Sequence, residues 1–289
     1  MIPAATEYVR ARSIEEAVRE LREKGSEARL LAGGHSLIPM MKLRMAAPQW
    51  LVDISAIAEL QGVSVQGGEL RLGATTTHAV IEHDATVAES LPLMAEIARC
   101  IADPLVRNRG TIGGALSNAD PSADWPVAAL IFDAELDIVS ATGRRAEAAA
   151  NFFQGLYATS LAPDELLTSV RLRVPEAGYG SAYEKIRHPA SGYAVAGVAA
   201  VVRASGGRLV DCRIAVTGVA AAPFRATRLE AALKNCAIDG EEISRAAELA
   251  TGDVECLSDR YADAVYRAHL ARTASIRAIN RALAAASHN

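Results

Sequence analysis

Apolar and polar positions recur along the chain in two periods, helical and strand-like, and a boundary near residue 177 divides them into two parts. At the start, Ile14, Ala17, Val18 and Leu21 recur at helical spacing behind Ser13, with Glu16 placed to complete a capping box and Gly25 to stop the helix. The run Ala28-Arg29-Leu30-Leu31-Ala32 reads as a strand, Gly33-Gly34-His35-Ser36 as a turn, and the stretch to about Met45 as a helix ended by Pro48. Leu51-Val52-Asp53-Ile54 is a further strand. Val63 to Leu72 predicts two strands joined across Gly67-Gly68, and helices are expected over Thr77–His83 and Leu91–Ala102. Arg107 to Pro126 predicts a long loop, followed by an Ala-rich helix and strands at Glu135–Val139 and Leu166–Val174. Glu176 to Gly180 looks like a linker. Beyond it, Ser181–Lys185, Ala194–Arg203 and Arg208–Val216 predict a second sheet. A closing helix over Arg260–Ala285 would carry Tyr261, Val265, Leu270, Ile276, Ile279 and Leu283 near one face.

This plan is α+β. One domain would span residues 1–176, divided into α/β units of about 1–55 and 56–176, and a second would span 177–289. With 289 residues and 51% hydrophobic content, the chain can bury a substantial core. A net charge of −4 and 4% aromatics offer neither the basic footprint nor the stacking surface of a nucleic-acid binder. No apolar run approaches the roughly 18 residues of a membrane span, and the first residues lack the basic and apolar regions of a signal peptide. The expectation is a cytoplasmic protein with no direct membrane insertion. Cys100, Cys212, Cys236 and Cys256 are too dispersed for a zinc or iron–sulfur pattern, so no metal is expected in this chain.

Two glycine-bearing segments carry the candidate chemistry. In the first, Leu31-Ala32-Gly33-Gly34-His35-Ser36-Leu37, a strand runs through Gly-Gly into a helix start. Glycine lacks the Cβ that keeps a ligand off the backbone, and a helix start presents unpaired N–H groups, so the segment suits a phosphate. A tight turn with Ser36 as an ordinary N-cap fits the same residues. Asp53, 20 residues after Gly33, brings a dinucleotide fingerprint to mind, but Gly-Gly-His-Ser is not Gly-x-Gly-x-x-Gly, and Pro39 and Pro48 shorten the helix. A nucleophile elbow fails as well, because no glycine stands two residues after Ser36. The second segment, Arg109-Gly110-Thr111-Ile112-Gly113-Gly114-Ala115-Leu116-Ser117-Asn118 running on to Asp124, again offers backbone donors and hydroxyl, amide and carboxylate groups. Together the two loops suit an elongated dinucleotide held about its pyrophosphate. The alternative for the second is a surface loop rich in turn residues.

Ala32 to Pro39, taken with Thr111-Ile112-Gly113-Gly114, resembles the FAD-binding signature of the molybdenum hydroxylase flavoprotein subunits. That family includes carbon monoxide dehydrogenase medium subunits and the flavin domain of xanthine dehydrogenases. Ile101-Ala102-Asp103-Pro104, Asp120-Pro121 and Ala182-Tyr183-Glu184-Lys185 extend the likeness over essentially the whole chain. The resemblance implies a PCMH-type FAD-binding domain of two α/β subdomains followed by a small α+β domain. It implies that FAD is held by Ala32, Gly33, Gly34, His35, Ser36 and Leu37, and by Gly110, Thr111, Ile112, Gly113, Gly114, Ala115 and Asn118, with Asp124 as an acidic contact. Lys185 and Tyr193 are expected at the flavin ring. It further implies an electron-relay role beside a molybdenum-cofactor large subunit and a [2Fe-2S] small subunit, as a dimer of heterotrimers. Ala115 departs from the family's usual Gly-Gly-Asn, removing one side-chain hydrogen bond worth on the order of 1 kcal/mol; Ser117 or Asn118 would take its place. Two other roles fit parts of the pattern: a self-sufficient FAD oxidoreductase of the same superfold, resembling a cell-wall precursor reductase, and a non-catalytic subunit that has lost FAD.

Overall fold

A computed structural model describes residues 2–252 and 254–287. The first unit is a three-stranded parallel sheet in the order Glu7–Arg10, Trp50–Asp53, Ala28–Leu31. Helix Ile14–Lys24 covers it, burying Ile14, Ala17, Val18 and Leu21. Ser13 caps this helix by accepting from the Glu16 N–H at 3.1 Å. The Glu16 carboxylate reaches back to the Arg12 N–H at 2.8 Å, one residue before the position a standard capping box uses. Gly25, at φ 55°, ends the helix as expected.

The second unit is a five-stranded antiparallel sheet in the order Val63–Gln66, Glu69–Gly73, Leu166–Arg173, Glu135–Ser140, Gly143–Ala148. Helices His78–His83, Pro92–Cys100, Ile112–Asn118 and Trp125–Ile131 pack about it. The third is a four-stranded antiparallel sheet, Tyr179–Arg187, Ala194–Ser205, Arg208–Thr217 and Phe224–Arg225, crossed by the helix Ala264–Ala286. The second and third units share one core, in which Tyr183, Ala199, Val201 and Ala215 of the last sheet join Trp125, Leu130 and Phe132.

Three expectations change. Residues 107–126 are not an extended loop throughout: helix Pro104–Arg107, capped by Asp103, ends at its start, and helix Ile112–Asn118, capped by Thr111, lies in its middle. Turn-forming glycines hid this, because Gly113 and Gly114 sit inside a helix that needs their small size. The segment read as a linker is already strand from Tyr179 onward, and a Cβ on Gly180 would lie 2.0 Å from the Ala282 carbonyl oxygen. The closing helix starts at Ala264, and Val265 is 80% exposed while Tyr261 precedes the helix. Its buried face is instead small: Ala271, Ala274, Ser275, Ala278 and Ala282, with Leu270, Ile279 and Leu283. Small side chains let the helix backbone approach the sheet closely, a contact that large-residue periodicity does not reveal.

Candidate functional site

The first glycine segment leaves the edge of the parallel sheet after Leu31, and Gly34 turns the chain at φ 74°, a conformation natural to glycine. The N–H groups of Gly33, Gly34, His35, Ser36 and Leu37 donate to no described atom of the protein. Five consecutive backbone donors in that condition form a cradle for an anion. The Ser36 side chain makes no capping bond, which separates the two readings of it and leaves its hydroxyl free. His35 folds back through Nδ1 onto the Gly33 carbonyl at 2.9 Å. Gly33 serves a different need. A Cβ there would sit 2.1 Å from the Arg109 carbonyl oxygen, so the two glycine segments are pressed directly together.

The second segment works differently from the expectation. Its N–H groups are engaged within the protein: Gly110 donates to Val106 at 2.7 Å, Ile112 to Thr76 at 3.1 Å, Gly113 to Ala74 at 2.8 Å and Ala115 to Thr111 at 3.0 Å. Gly114 donates to the Thr111 hydroxyl at 3.2 Å. Thr111 alone among residues 110–115 keeps an N–H without a described acceptor. Gly113 is required by packing, since a Cβ would lie 2.5 Å from that of Ala74. Ile112, 2% exposed, turns into the core and not toward the cleft. This segment therefore offers side chains more than backbone: the Thr111 hydroxyl, and Ser117 and Asn118, which have no described side-chain partner.

Asp124 stands at the N-terminus of helix Trp125–Ile131, 5% exposed. Lys185 Nζ donates to its Oδ2 at 2.8 Å and to the Cys100 carbonyl at 3.0 Å, and the Tyr183 hydroxyl donates to its Oδ1. Burial pushes the Asp124 carboxyl up, and the Lys185 ammonium and Tyr183 hydroxyl pull against it. Lys185 is thus a buried, anchored cation rather than a solvated strand lysine. The loop bearing Asp124 is tied to the last sheet: the single Thr217 hydroxyl proton is shared between the Pro121 and Ala123 carbonyls, 2.9 and 2.8 Å from Oγ1, and the Gly218 N–H donates to Pro121 at 2.7 Å. Tyr193, 44% exposed, sits on the turn that follows His188, whose N–H donates to the Tyr193 carbonyl at 2.8 Å.

These pieces border one cavity of about 1060 Å³. Fifteen of the sixteen sequence-predicted site residues line it, Ile112 being the exception. Leu30, Leu161 and Leu166 supply apolar wall and the five free N–H groups a polar edge. The volume reaches the upper end of small-molecule sites, which run to about 1,000 Å³; an elongated dinucleotide fills such a space. The cavity also has walls that motif reading did not select. Tyr157, at φ 53°, hydrogen bonds through its hydroxyl to Asp120 at 3.2 Å, and His78 accepts from the Trp125 indole at 2.9 Å. Asp53 is engaged by the Tyr8 hydroxyl and the Ser55 N–H, so it serves its own strand end and not a ribose.

Residues 4–176 match the model of the FAD binding domain in molybdopterin dehydrogenase, and residues 181–282 match that of the CO dehydrogenase flavoprotein C-terminal domain. The chain belongs to this FAD-binding family. It is 40% identical to the carbon monoxide dehydrogenase medium chain of Afipia carboxidovorans across all of both chains. It is 35% identical to the glyceraldehyde dehydrogenase medium chain of Sulfolobus acidocaldarius, covering 96% of this chain and 98% of that one. Carbon monoxide dehydrogenase from Hydrogenophaga pseudoflava, solved without the Mo-pyranopterin moiety of its cofactor, superposes with a TM-score of 0.95 at 43% identity, covering 98% and 99% of the two chains. The family's cofactor is FAD, and the cleft here fits it: free N–H donors for phosphates, apolar walls for the rings and a buried ammonium beside them. As in its relatives, the role is that of an oxidoreductase flavoprotein subunit. Among the described residues, no helix is long and apolar enough to cross a membrane.

Proposed function

We propose that this chain is the electron-relaying medium subunit of a molybdenum hydroxylase, assembled with a molybdenum-cofactor large subunit and a [2Fe-2S] small subunit as a dimer of heterotrimers. FAD supplies chemistry that the side chains lack, because it exchanges electrons singly or in pairs. The chain's own part is to bind, orient and shield it. Gly33 to Leu37 present backbone donors to the pyrophosphate, with Ser36 adding a hydroxyl. Thr111, Ser117 and Asn118 contribute side chains from the facing segment. Lys185 stands in the wall as an ammonium paired with the Asp124 carboxylate and held by the Cys100 carbonyl, where it would fix the polar edge of the site against the bound cofactor. Tyr193 lines the cavity from the exposed turn that follows His188.

The observation that carries this reading is the run of five unengaged N–H groups opening on a cavity of dinucleotide size. Medium chains of relatives are named for carbon monoxide and for glyceraldehyde. Substrate choice accordingly belongs to the large subunit, with carbon monoxide the first to test. The chain should be co-expressed with its genomic neighbours and the purified complex examined by visible spectroscopy. Flavin absorbance bleached by the complex's substrate, with two partner chains co-eluting, is expected. A colourless complex, or a yellow chain that elutes alone and turns over a substrate by itself, would refute it.

A further inference from the structure

His78 lies under the second glycine segment, 5% exposed, with its N–H bonded to the Gly110 carbonyl at 2.9 Å. Its Nδ1 is 2.9 Å from Nε1 of Trp125. An indole N–H only donates, so Nδ1 must be the unprotonated acceptor, and the proton of the neutral ring must sit on Nε2. Burial, with His35 and Arg107 nearby, pushes the imidazolium pKa down to about 3, consistent with a ring that stays neutral. The Nε2–H has no described acceptor. It faces the bare Cα of Gly110: a Cβ added there would lie 2.6 Å from Nε2. Both His78 and Gly110 line the cavity. Of the backbone donors around this point only the Thr111 N–H is unengaged, those of Gly110 and of Ile112 to Ala115 being bonded within the protein.

We propose that His78 is a cofactor-positioning residue whose Nε2–H donates a hydrogen bond to an acceptor atom of bound FAD, with Trp125 fixing the tautomer and Gly110 keeping the approach open. A donor that faces the cavity gains a partner when the ligand arrives. The inference rests on FAD occupying this cavity.

Two substitutions divide the ring's two bonds. In His78→Asn the amide oxygen can take the place of Nδ1 and keep the Trp125 bond, while nothing reaches the Nε2 position. In His78→Gln the amide nitrogen can reach the Nε2 position, while the Trp125 partner is lost. The full chain, stripped of flavin, is titrated with FAD by fluorescence, and the melting temperature of the stripped protein is measured alongside. His78→Asn should melt near the parent but bind FAD about tenfold more weakly, with a shifted visible spectrum of the bound flavin. His78→Gln should melt lower and bind near the parent's affinity. Parental affinity in His78→Asn, or affinity that simply follows the melting temperature in both variants, overturns the proposal. A parent chain that takes up no FAD overturns the cofactor reading itself, a distinct result.

Discussion

Replacing Gly33 with alanine tests the contact on which the whole cleft is built. The new methyl would lie 2.1 Å from the Arg109 carbonyl oxygen, 2.8 Å from its carbon and 2.9 Å from the Gly110 Cα. Ordinary contact starts near 3.4 Å, so the two segments must part by about 1.3 Å. All three obstructing atoms are backbone, and Gly110 is itself pinned through Val106 and His78, so no side chain can swing away. Overpacking of this kind costs about 1–3 kcal/mol. Hydrogen bonds to phosphate oxygens weaken steeply when donors shift by such a distance. A loss of about 2–3 kcal/mol in binding is a 30- to 150-fold rise in Kd. The assay is FAD titration of the stripped chain by fluorescence, with circular dichroism to confirm folding. Gly25→Ala, at a left-handed position with nothing near its Cβ, controls for a general loss of stability. Gly33→Ala that stays folded and binds FAD within twofold of the parent would refute the view that the segments' close contact shapes the cradle.

Other perturbations have defined outcomes. Lys185→Met strands the Asp124 carboxylate in a buried site and should cost about 3–5 kcal/mol in chemical denaturation; adding Asp124→Asn should recover part of that loss. Ala115→Asn places an amide on the cavity wall and should tighten FAD about fivefold by titration, the worth of one net hydrogen bond of about 1 kcal/mol. The Arg145 guanidinium, hydrogen bonded to both oxygens of Glu165, holds that carboxyl below its usual range. The unfolded chain therefore binds the proton more readily, so stability from this pair is present above the ordinary glutamate pKa and is lost as pH falls through the lower, folded value. Melting curves from pH 3 to 7 should show a shallower acid limb in Glu165→Gln than in the parent.

Much of the fold was legible because local rules and tertiary packing agree. Ser13, Glu16 and Gly25 bracket a helix whose apolar stripe is its buried face, and Gly67-Gly68 turns a hairpin. The family likeness led to residues that the structure gathers around one cavity, yet it could not say how each acts. Gly113 looked like a donor and is a packing residue. Lys185 was expected at the flavin ring from the likeness alone, and only the fold sets Asp124, 61 positions away, against it. His78 was passed over, because a histidine's tautomer depends on a partner 47 residues distant. Short-range patterns carry helix caps and turns; they do not carry which N–H is already engaged, and that accounting decides what a glycine loop offers a ligand.

The bonds from Thr217 and Gly218 to the Pro121–Ala123 loop also set a schedule for biosynthesis. N-terminal domains fold first as a chain emerges from the ribosome. The loop carrying Asp124 would then be finished only after residue 218 has left the exit tunnel and the last sheet has closed on it. Lys185 reaches the wall in the same late step. If the proposed site is right, retention of flavin should need the nearly complete polypeptide, and a chain truncated near residue 176 should keep the Gly33–Leu37 segment but lack the wall that Asp124 and Lys185 build.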